Sequence, residues 1–159
     1  MPPEIGLLGE LRELDTSTNE LPHLPPEIGG LRRLRTLTAD GARAKELPPE
    51  IGQLSDLEVL VLPSAELRVI PPETGRLQAL VKLSLGSDDT AENPLTIPKE
   101  MWGLSRLEEL EPADFRAAEL PDGIGGLRSL RTLDLSRCRV ETVSDEIRGL
   151  PSLRELKIS

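Results

Sequence analysis

The amino-acid sequence predicts an α/β repeat solenoid, an arc with a parallel sheet on its concave face and short helical turns on its convex face. One observation is a unit of about 23 residues that recurs along the chain, since self-similarity at a fixed period is typical of repeat architectures. A second is composition: 31 of the 159 residues are leucine, whereas the aromatic side chains are one Trp and one Phe. Ordinary globular cores use several aromatic side chains to fill irregular space, so this core is predicted to repeat one packing unit.

The register of the repeat is set by prolines at equal intervals, namely Pro3, Pro26, Pro49 and Pro72. It continues at Lys99 after a longer step, and then at Asp122 and Asp145 with the original interval. The chain therefore holds about seven units, with a four-residue insertion within 86–97. We expect residues 1–159 to form a single domain.

Three columns of leucine occur in every unit. The first is Leu8, Leu31, Leu54, Leu77, Leu104, Leu127 and Leu150. The second is Leu11, Leu34, Leu57, Leu80, Leu107, Leu130 and Leu153. The third is Leu14, Leu37, Leu60, Leu83, Leu110, Leu133 and Leu156. These columns predict the core of the arc.

Each unit has a strand half and a helical half. The stretch 130–135 ends in an alternation of period two, which indicates a short strand. In the stretch 47–54, Pro49 suits the first position of a helical turn, where its missing N–H costs nothing. Ile51 and Leu54, three residues apart, then lie on one face of that turn. One strand and one or two helical turns are predicted in each unit, with the strands stacked in parallel.

The run LPPEIGQLSDLEVLVL at 47–62 resembles the leucine-rich repeat, in particular the intracellular class whose unit reads LPxxIGxLxxLxxLxLxxN. Ras-group leucine-rich-repeat proteins and the repeat domains of plant nucleotide-binding immune receptors share this class. The resemblance covers essentially the whole chain. Seven successive matches make it a strong indication of the fold and a weak one of the function.

The chain departs from that family pattern in two ways. The buried asparagine ladder of the family is kept only at Asn19, and the equivalent positions hold Ala42, Ala65, Phe115 and Cys138. This decayed ladder and the insertion favour the immune-receptor branch. In addition, neither end carries the polar capping unit that solenoids normally need, so we expect either a segment of a longer protein or covered ends.

Catalysis is not predicted. Nucleophilic catalysis needs a nucleophile and a base within hydrogen-bond reach, and the chain has one His, His23, and one Cys, Cys138. Because neighbouring strands lie about 4.8 Å apart, the five units between them correspond to about 24 Å. We expect His23 to be exposed and Cys138 to be a small, mostly buried side chain.

No metal site or cofactor is predicted either. Zinc needs several Cys or His ligands at suitable spacing. The insertion carries Asp88, Asp89 and Glu92, but it lacks the alternating ligands of a calcium loop, so a solvated loop is the simpler interpretation. Trp102 belongs to the helical half, where packing between units is expected rather than contact with a partner.

Charge and hydropathy exclude two classes of partner. The net charge of −9 argues against nucleic acid, because phosphate binding needs clustered Lys and Arg. No run of about 18 apolar residues is present to span a membrane. The N-terminal sequence MPPEIGLLGE lacks the basic and then apolar pattern of a signal peptide, and we expect a soluble, cytoplasmic protein.

The candidate binding surface is the concave face, where side chains between the strand leucines point outward. Its first row is Glu13, Thr36, Val59, Lys82, Glu109, Thr132 and Glu155, and its second is Asp15, Thr38, Val61, Ser84, Glu111, Asp134 and Lys157. The predicted partner-binding residues are Glu13, Asp15, Val59, Val61, Lys82, Glu109, Glu111, Asp114 and Asp134. They combine an apolar spot at Val59, Val61 and Pro63 with an acidic patch at Glu109, Glu111, Asp114 and Asp134.

These rows predict a protein or peptide partner with a basic segment and an apolar anchor, attracted by charge. Two other interpretations stay open, because valine favours strands in general and outward carboxylates often serve solubility alone. Neither row holds the Tyr, Trp or Arg residues that anchor strong interfaces.

The function predicted from sequence is a non-catalytic protein–protein interaction module for recognition or signalling, similar to the repeat segment of a plant immune receptor. The alternative is a structural or scaffold segment that self-associates by stacking of its uncapped ends, of which an engineered repeat protein is a variant.

Overall fold

A computed structural model describes residues 1–17, 19, 23–39, 44–63, 67–86, 95–112, 122–136, 138 and 145–158. Within these ranges the strands are β1 (Glu13–Asp15), β2 (Thr36–Thr38), β3 (Val59–Leu62), β4 (Lys82–Leu85), β5 (Glu109–Pro112), β6 (Thr132–Asp134) and β7 (Glu155–Lys157). They pair in parallel and in chain order, forming one open sheet. The predicted solenoid, with one short strand in each unit, is therefore confirmed.

The helical half of each unit is a short 3₁₀ helix. In the described ranges these helices are η1 (Pro3–Leu7), η2 (Pro26–Gly30), η3 (Pro49–Gln53), η4 (Pro72–Arg76), η5 (Lys99–Gly103), η6 (Ile124–Gly126) and η7 (Asp145–Gly149). The predicted helical turns are thus present, and their five residues or fewer suit the 3₁₀ form, which is stable only in short runs.

The paired prolines determine where a helix such as η3 begins. Pro48 is extended, with φ −67° and ψ 142°, because a residue that precedes proline is kept out of the helical region. Pro49 then occupies the first helical position, which lacks a partner for an N–H in any case. The Ile51 N–H donates to the Pro48 carbonyl oxygen at 2.9 Å and the Leu54 N–H to that of Ile51 at 3.2 Å. These bonds close the turn and direct the chain towards β3.

The hydrophobic core lies between the sheet and the 3₁₀ helices. All three leucine columns are buried in the second to sixth units, as at Leu54, Leu57 and Leu60. Full burial of one leucine side chain contributes about 1.5–3 kcal/mol relative to exposure. In the first and last units the same columns are more open, so that Leu8 is 51% and Leu156 39% exposed.

The 3₁₀ helices of neighbouring units pack so closely that glycine is required between them. A Cβ atom added to Gly52 in η3 would lie 2.5 Å from the carbonyl oxygen of Glu73 in η4. Real Cβ atoms do not approach an oxygen so closely, so any larger side chain would force the two backbones apart. Gly75 stands in the same relation to Glu100.

Trp102 is an exception to this packing rule. It occupies the glycine position of η5, and the next unit has Gly123 where the preceding ones have glutamate. The indole is buried, and a Cβ added to Gly123 would lie 3.3 Å from Trp102 Cδ1. Gly123 also adopts a left-handed φ of 94°, which favours glycine. A large side chain and a glycine have exchanged sides across this interface, and Trp102 packs between units as expected.

The asparagine prediction is wrong for Asn19, whose side chain is exposed rather than buried. Its Nδ2 donates to the carbonyl oxygens of Thr16 and Ser17 in its own unit, at 3.2 and 3.3 Å. Thr16 is the buried polar residue instead, and its hydroxyl donates to the Thr38 carbonyl at 3.4 Å. In this chain the first unit is packed from one side only, so the Asn19 amide is left open to solvent.

Cys138 keeps the role that an asparagine would have in its column. It is buried, and its thiol lies 2.7 Å from the carbonyl oxygen of Pro112, in the preceding unit, to which it donates. The expected burial of Cys138 is confirmed, as is the exposure of His23. The other ladder positions Ala42, Ala65 and Phe115 lie outside the described residues, as do Asp88, Asp89 and Glu92 of the insertion.

Candidate functional site

The concave face carries two rows of side chains that run across the strands. In the first row, Glu13 pairs with Thr36, Thr36 with Val59, Val59 with Lys82, and so on to Glu155. The second row is in register from Asp15 to Glu111 and again from Asp134 to Lys157. Between β5 and β6 only the first two positions of the strands pair, so the second row is interrupted there.

Lys82 and Glu109 are adjacent in the first row and form an ion pair with an N–O distance of 2.7 Å. The hydrogen bond to the Glu109 carboxylate, opposed in part by burial, raises the pKa of the Lys82 ammonium above its ordinary value of 10.5. This lysine is therefore charged at neutral pH and held against Glu109. One carboxylate of the predicted acidic patch is thus already neutralised.

Asp134 is the second carboxylate of the patch with a bound partner. Its Oδ1 accepts hydrogen bonds from both the backbone N–H and the hydroxyl of Ser136, and its Oδ2 lies 3.3 Å from Lys157 Nζ. The Ser136 hydroxyl, followed by the Ser136 N–H and Lys157, holds the pKa of Asp134 below its ordinary value of 3.8 against the opposing effect of burial. Lys157 also lies 3.6 Å from Glu155.

Glu111 is the remaining described carboxylate of the patch, since Asp114 lies outside the described residues. Lys82 is near enough to Glu111 for that carboxylate to help raise its pKa, but in the described part of the chain no cation forms an ion pair with Glu111. Among the described carboxylates of the acidic patch, Glu111 is therefore the one without an ion pair.

A groove of about 300 Å³ lies at the carboxyl ends of β3 to β6. Its lining consists of Pro63, Ser84, Leu85, Gly86, Glu111, Asp134 and Ser136. The groove thus joins part of the predicted apolar spot to part of the predicted acidic patch. Sequence reasoning placed Ser84 in a row but did not identify Leu85, Gly86 or Ser136 as lining, and the repeated Asp-x-Ser spacing of Asp15–Ser17 and Asp134–Ser136 was the available signal.

The apolar spot consists of Val59 and Val61 on β3 and of Pro63 just after it. All three side chains are half-buried, and β3 pairs with β2 on one side and with β4 on the other. Val61 pairs in register with Ser84, and Ser84 with Glu111. An apolar surface and a carboxylate without an ion pair in the described part of the chain therefore lie on one line across three strands.

The smaller acidic site of the first unit is separate from the groove. Asp15 accepts a hydrogen bond from the Ser17 backbone N–H at 2.8 Å, and the Ser17 hydrogen bonds lower the pKa of Asp15 below 3.8. Glu13 precedes it on β1 and is exposed. The structure does not bring these two carboxylates together with those of β5 and β6, since three strands lie between β1 and β5 and four between β1 and β6.

One further column of charged residues went unrecognised in the sequence. It consists of the residues that immediately precede the strands, which are Arg or Glu except for Val81 before β4. Two pairs of neighbours in this column form ion pairs: Arg35 with Glu58 at 3.6 Å and Arg131 with Glu108 at 3.1 Å. The backbone repeats here as well, because each carbonyl accepts two N–H groups of the next unit, as Arg12 does from Arg35 and Thr36. The regular spacing of the units was sufficient to reveal this column.

The described residues were also searched for metal sites and for membrane-spanning helices. They contain no group of three or more His, Cys, Asp or Glu side chains that could hold a metal ion. Over the same ranges, none of the helices has the length and apolar character needed to cross a bilayer.

We compared the sequence and the structure with those of known proteins. The family model for the leucine-rich repeat matches residues 129–150, and no curated protein matches the sequence. A solved leucine-rich-repeat protein of Leptospira interrogans is 35% identical with a TM-score of 0.90, and the alignment covers 100% of this chain and 40% of that one. The chain therefore spans about two fifths of that protein's length.

Two further solved structures are similar. The leucine-rich-repeat ectodomain of the Arabidopsis thaliana membrane receptor kinase GASSHO1/SCHENGEN3, in complex with CASPARIAN STRIP INTEGRITY FACTOR 2, is 25% identical with a TM-score of 0.77, covering 100% of this chain and 22% of that one. The leucine-rich-repeat domain of the type III effector XopL is 22% identical with a TM-score of 0.72, and the alignment covers 99% of this chain and 64% of that one. This last similarity is evidence for the fold only. Together with the repeated columns and the parallel sheet, these similarities show that the chain is a leucine-rich-repeat protein.

Proposed function

We propose that this chain recognises a protein or peptide partner on the concave face of its sheet, and that it does so without catalysis. The observation that carries the proposal is the groove at the ends of β3 to β6, where the half-buried Pro63 and the buried Leu85 adjoin Glu111, a carboxylate that has no ion pair among the described residues. A concave site lined by apolar side chains and a few polar groups is the usual form of a binding site. The GASSHO1/SCHENGEN3 ectodomain, solved in complex with another factor, supports a binding role for such an arc.

The charge of the face favours a cationic partner. Lys82 and Lys157 are already bound to Glu109 and Asp134, so they compete little with an incoming Lys or Arg. Complementary charge of this kind speeds encounter and selects among partners more than it adds affinity. The predicted basic segment of the partner is therefore retained in the proposal.

The proposal is tested by selecting linear peptides from a random phage-displayed library on the immobilised chain and measuring their affinities by calorimetry. Val61→Arg places a charge on the concave face, and Gln53→Arg places the same charge on η3, on the convex side. We expect the selected peptides to bind Val61→Arg at least 10-fold more weakly than the unchanged chain, and Gln53→Arg within 2-fold of it. Failure to select any peptide, or equal losses in the two variants, would contradict the proposal.

A finer form of the proposal is that the recognition belongs to plant defence signalling in the cytoplasm. The decayed asparagine column, in which Cys138 now donates to the neighbouring unit, supports it. The coding sequence that flanks this chain tests it, because the immune-receptor branch requires a nucleotide-binding domain in the same protein. A flanking sequence without such a domain would contradict this finer form alone.

A second candidate function is self-association of the 159-residue chain as a scaffold. It is favoured by exposed apolar side chains in the first and last units, namely Leu7, Leu8, Leu156 and Ile158. Sedimentation velocity over a 100-fold range of concentration tests it. We expect larger species at high concentration that disappear in Leu7→Glu, whereas a monomer at every concentration would count against the scaffold.

A further inference from the structure

The groove and the apolar spot lie on one line across the sheet, and this line limits the shape of a partner. Val61 on β3, Ser84 on β4 and Glu111 on β5 are consecutive partners in the strand register. Neighbouring strands are about 4.8 Å apart, so the side chains of Val61 and Glu111 emerge from the sheet about 9.6 Å apart, at two strand spacings. A partner segment that crosses the strands must match this separation.

The separation discriminates between backbone conformations of the partner. A polyproline II segment rises about 3.1 Å per residue with three residues per turn, so residues i and i+3 point the same way and lie about 9.3 Å apart. In a β-strand, side chains on one face are separated by about 6.6 Å or, two steps further, about 13 Å. The polyproline II spacing agrees with the register of this face, and the β-strand spacings do not.

The chemistry at the two ends of the line differs. At β3 the partner meets Val59, Val61 and Pro63, which are apolar and half-buried. At β5 and β6 it meets Glu111, which has no described ion-pair partner, beside Asp134, which the Ser136 hydrogen bonds and Lys157 keep ionised. The groove between them has room for one long side chain, with a volume of about 300 Å³. A cation is the complement of the second end, and an apolar side chain that of the first.

We infer that the partner presents a segment in the polyproline II conformation, with an apolar side chain on the Val59–Val61–Pro63 spot and a Lys or Arg side chain three residues away in the groove beside Glu111. This inference rests on the proposed function and deepens it by naming the class of ligand. Proline is accepted at the two intervening positions, because that conformation leaves its backbone N–H groups unused. The segment runs across the strands rather than pairing with the edge of the sheet.

The inference is tested with acetylated and amidated proline-rich peptides, which have no terminal charges. Leucine and lysine are placed two, three or four residues apart in an otherwise all-proline nonapeptide, and dissociation constants are measured by NMR titration of the 159-residue chain. We expect the three-residue spacing to bind at least 5-fold more tightly than the other two. Equal affinities for the three spacings would overturn the inference.

A double-mutant cycle tests the assignment of the cation. Glu111→Gln is expected to weaken the binding of the lysine peptide at least 5-fold. The same variant is expected to leave unchanged the affinity for a peptide in which norleucine replaces lysine. Glu4→Gln, which removes an exposed carboxylate from η1 on the convex side, serves as the matched control and is expected to change the affinity for neither peptide. Equal effects of Glu111→Gln on the two peptides would overturn the assignment.

The two proposals can fail separately. If selected phage peptides bind the concave face but lack the three-residue spacing, and the proline peptides do not bind, the inference is wrong and the proposed function stands. If the phage selection yields no peptide at all, the proposed function itself is wrong.

Discussion

At the scale of single residues, Thr74 is the clearest local imperfection. It occupies a column that otherwise holds Ile or Met, and it is 1% exposed. Among the described residues, its hydroxyl is the buried side-chain group without a hydrogen-bond partner. A buried polar group left without a partner costs free energy, since its bonds to water are lost and nothing replaces them.

Thr74→Val is therefore expected to stabilise the chain by about 1 kcal/mol, because valine has the same shape without the hydroxyl. The measurement is the free energy of unfolding in urea. Thr38→Val makes the same change on the partly exposed concave face and is expected to stay within about 0.5 kcal/mol of the unchanged chain. A loss of stability in Thr74→Val would show that the hydroxyl is satisfied.

Asp134 makes stability depend on pH. Its folded pKa is held below 3.8, chiefly by the Ser136 hydroxyl, so it binds fewer protons in the folded than in the unfolded chain at acid pH. Its contribution is therefore fully present above pH 3.8 and is lost as the pH falls through the lower folded pKa.

We expect Asp134→Asn to lower the urea midpoint at pH 6 and to have a smaller effect at pH 3. Ser136→Ala removes the hydroxyl donor while leaving the carboxylate, and it is expected to reproduce part of the change. A difference between the Asn variant and the unchanged chain that is the same at both pH values would contradict the linkage.

At the scale of elements, the contact between neighbouring 3₁₀ helices determines the sequence of each unit. Gly52 lies against Glu73 so closely that no Cβ fits, whereas Trp102 and Gly123 solve the same contact with the large group on the other side. The interface therefore accepts a large side chain on one helix if the facing residue is glycine, but it has no room for an additional side-chain atom.

Gly52→Ala is expected to destabilise the chain by about 1–3 kcal/mol, the usual cost of an extra methyl group in a filled site. Gly103→Ala is the matched control, because a Cβ at Gly103 meets nothing within 4 Å. Gly103→Ala is expected to stabilise the folded chain by about 0.4–1 kcal/mol, because alanine lowers the conformational entropy of the unfolded chain. Thermal unfolding of the two variants side by side measures both effects, and equal midpoints would contradict the close contact.

At the scale of the whole molecule, the position of a unit in the array decides what its core residues contribute. Leu83 and Leu156 occupy the same column in the fourth and seventh units, yet they are 0% and 39% exposed. In a solenoid each unit is stabilised mainly by its neighbours, and Leu83 has one on each side.

Leu83→Ala is expected to cost about 2–5 kcal/mol, the range for a buried leucine, and Leu156→Ala less than half as much. Urea unfolding of the 159-residue chain, followed by circular dichroism, compares the two. Similar losses in both variants would show that the last unit is as well packed as the middle one.

The candidate site was only partly predictable from sequence. The two rows of the concave face follow from the constant spacing of the repeat, because strands that pair in parallel and in register bring equivalent positions together. The spacing of the repeat does not predict which of the charged side chains form ion pairs with one another. Glu109 and Asp134 both belong to the predicted acidic patch, but lysines of adjacent units bind them, and of the patch residues that the structure describes Glu111 is left without an ion pair. Which long side chain reaches which carboxylate depends on rotamers and on local curvature.

By itself the sequence determined the repeat, the columns of leucine, the proline that begins each helix and the order of the strands. All of these depend on local spacing that recurs in every unit, so each copy supports the interpretation of the others. Only the tertiary structure decided that Asn19 is exposed, that the Thr74 hydroxyl is unsatisfied and that a groove joins the apolar spot to Glu111. These depend on what the neighbouring unit places opposite each side chain, and a repeat with imperfect copies does not specify that in advance.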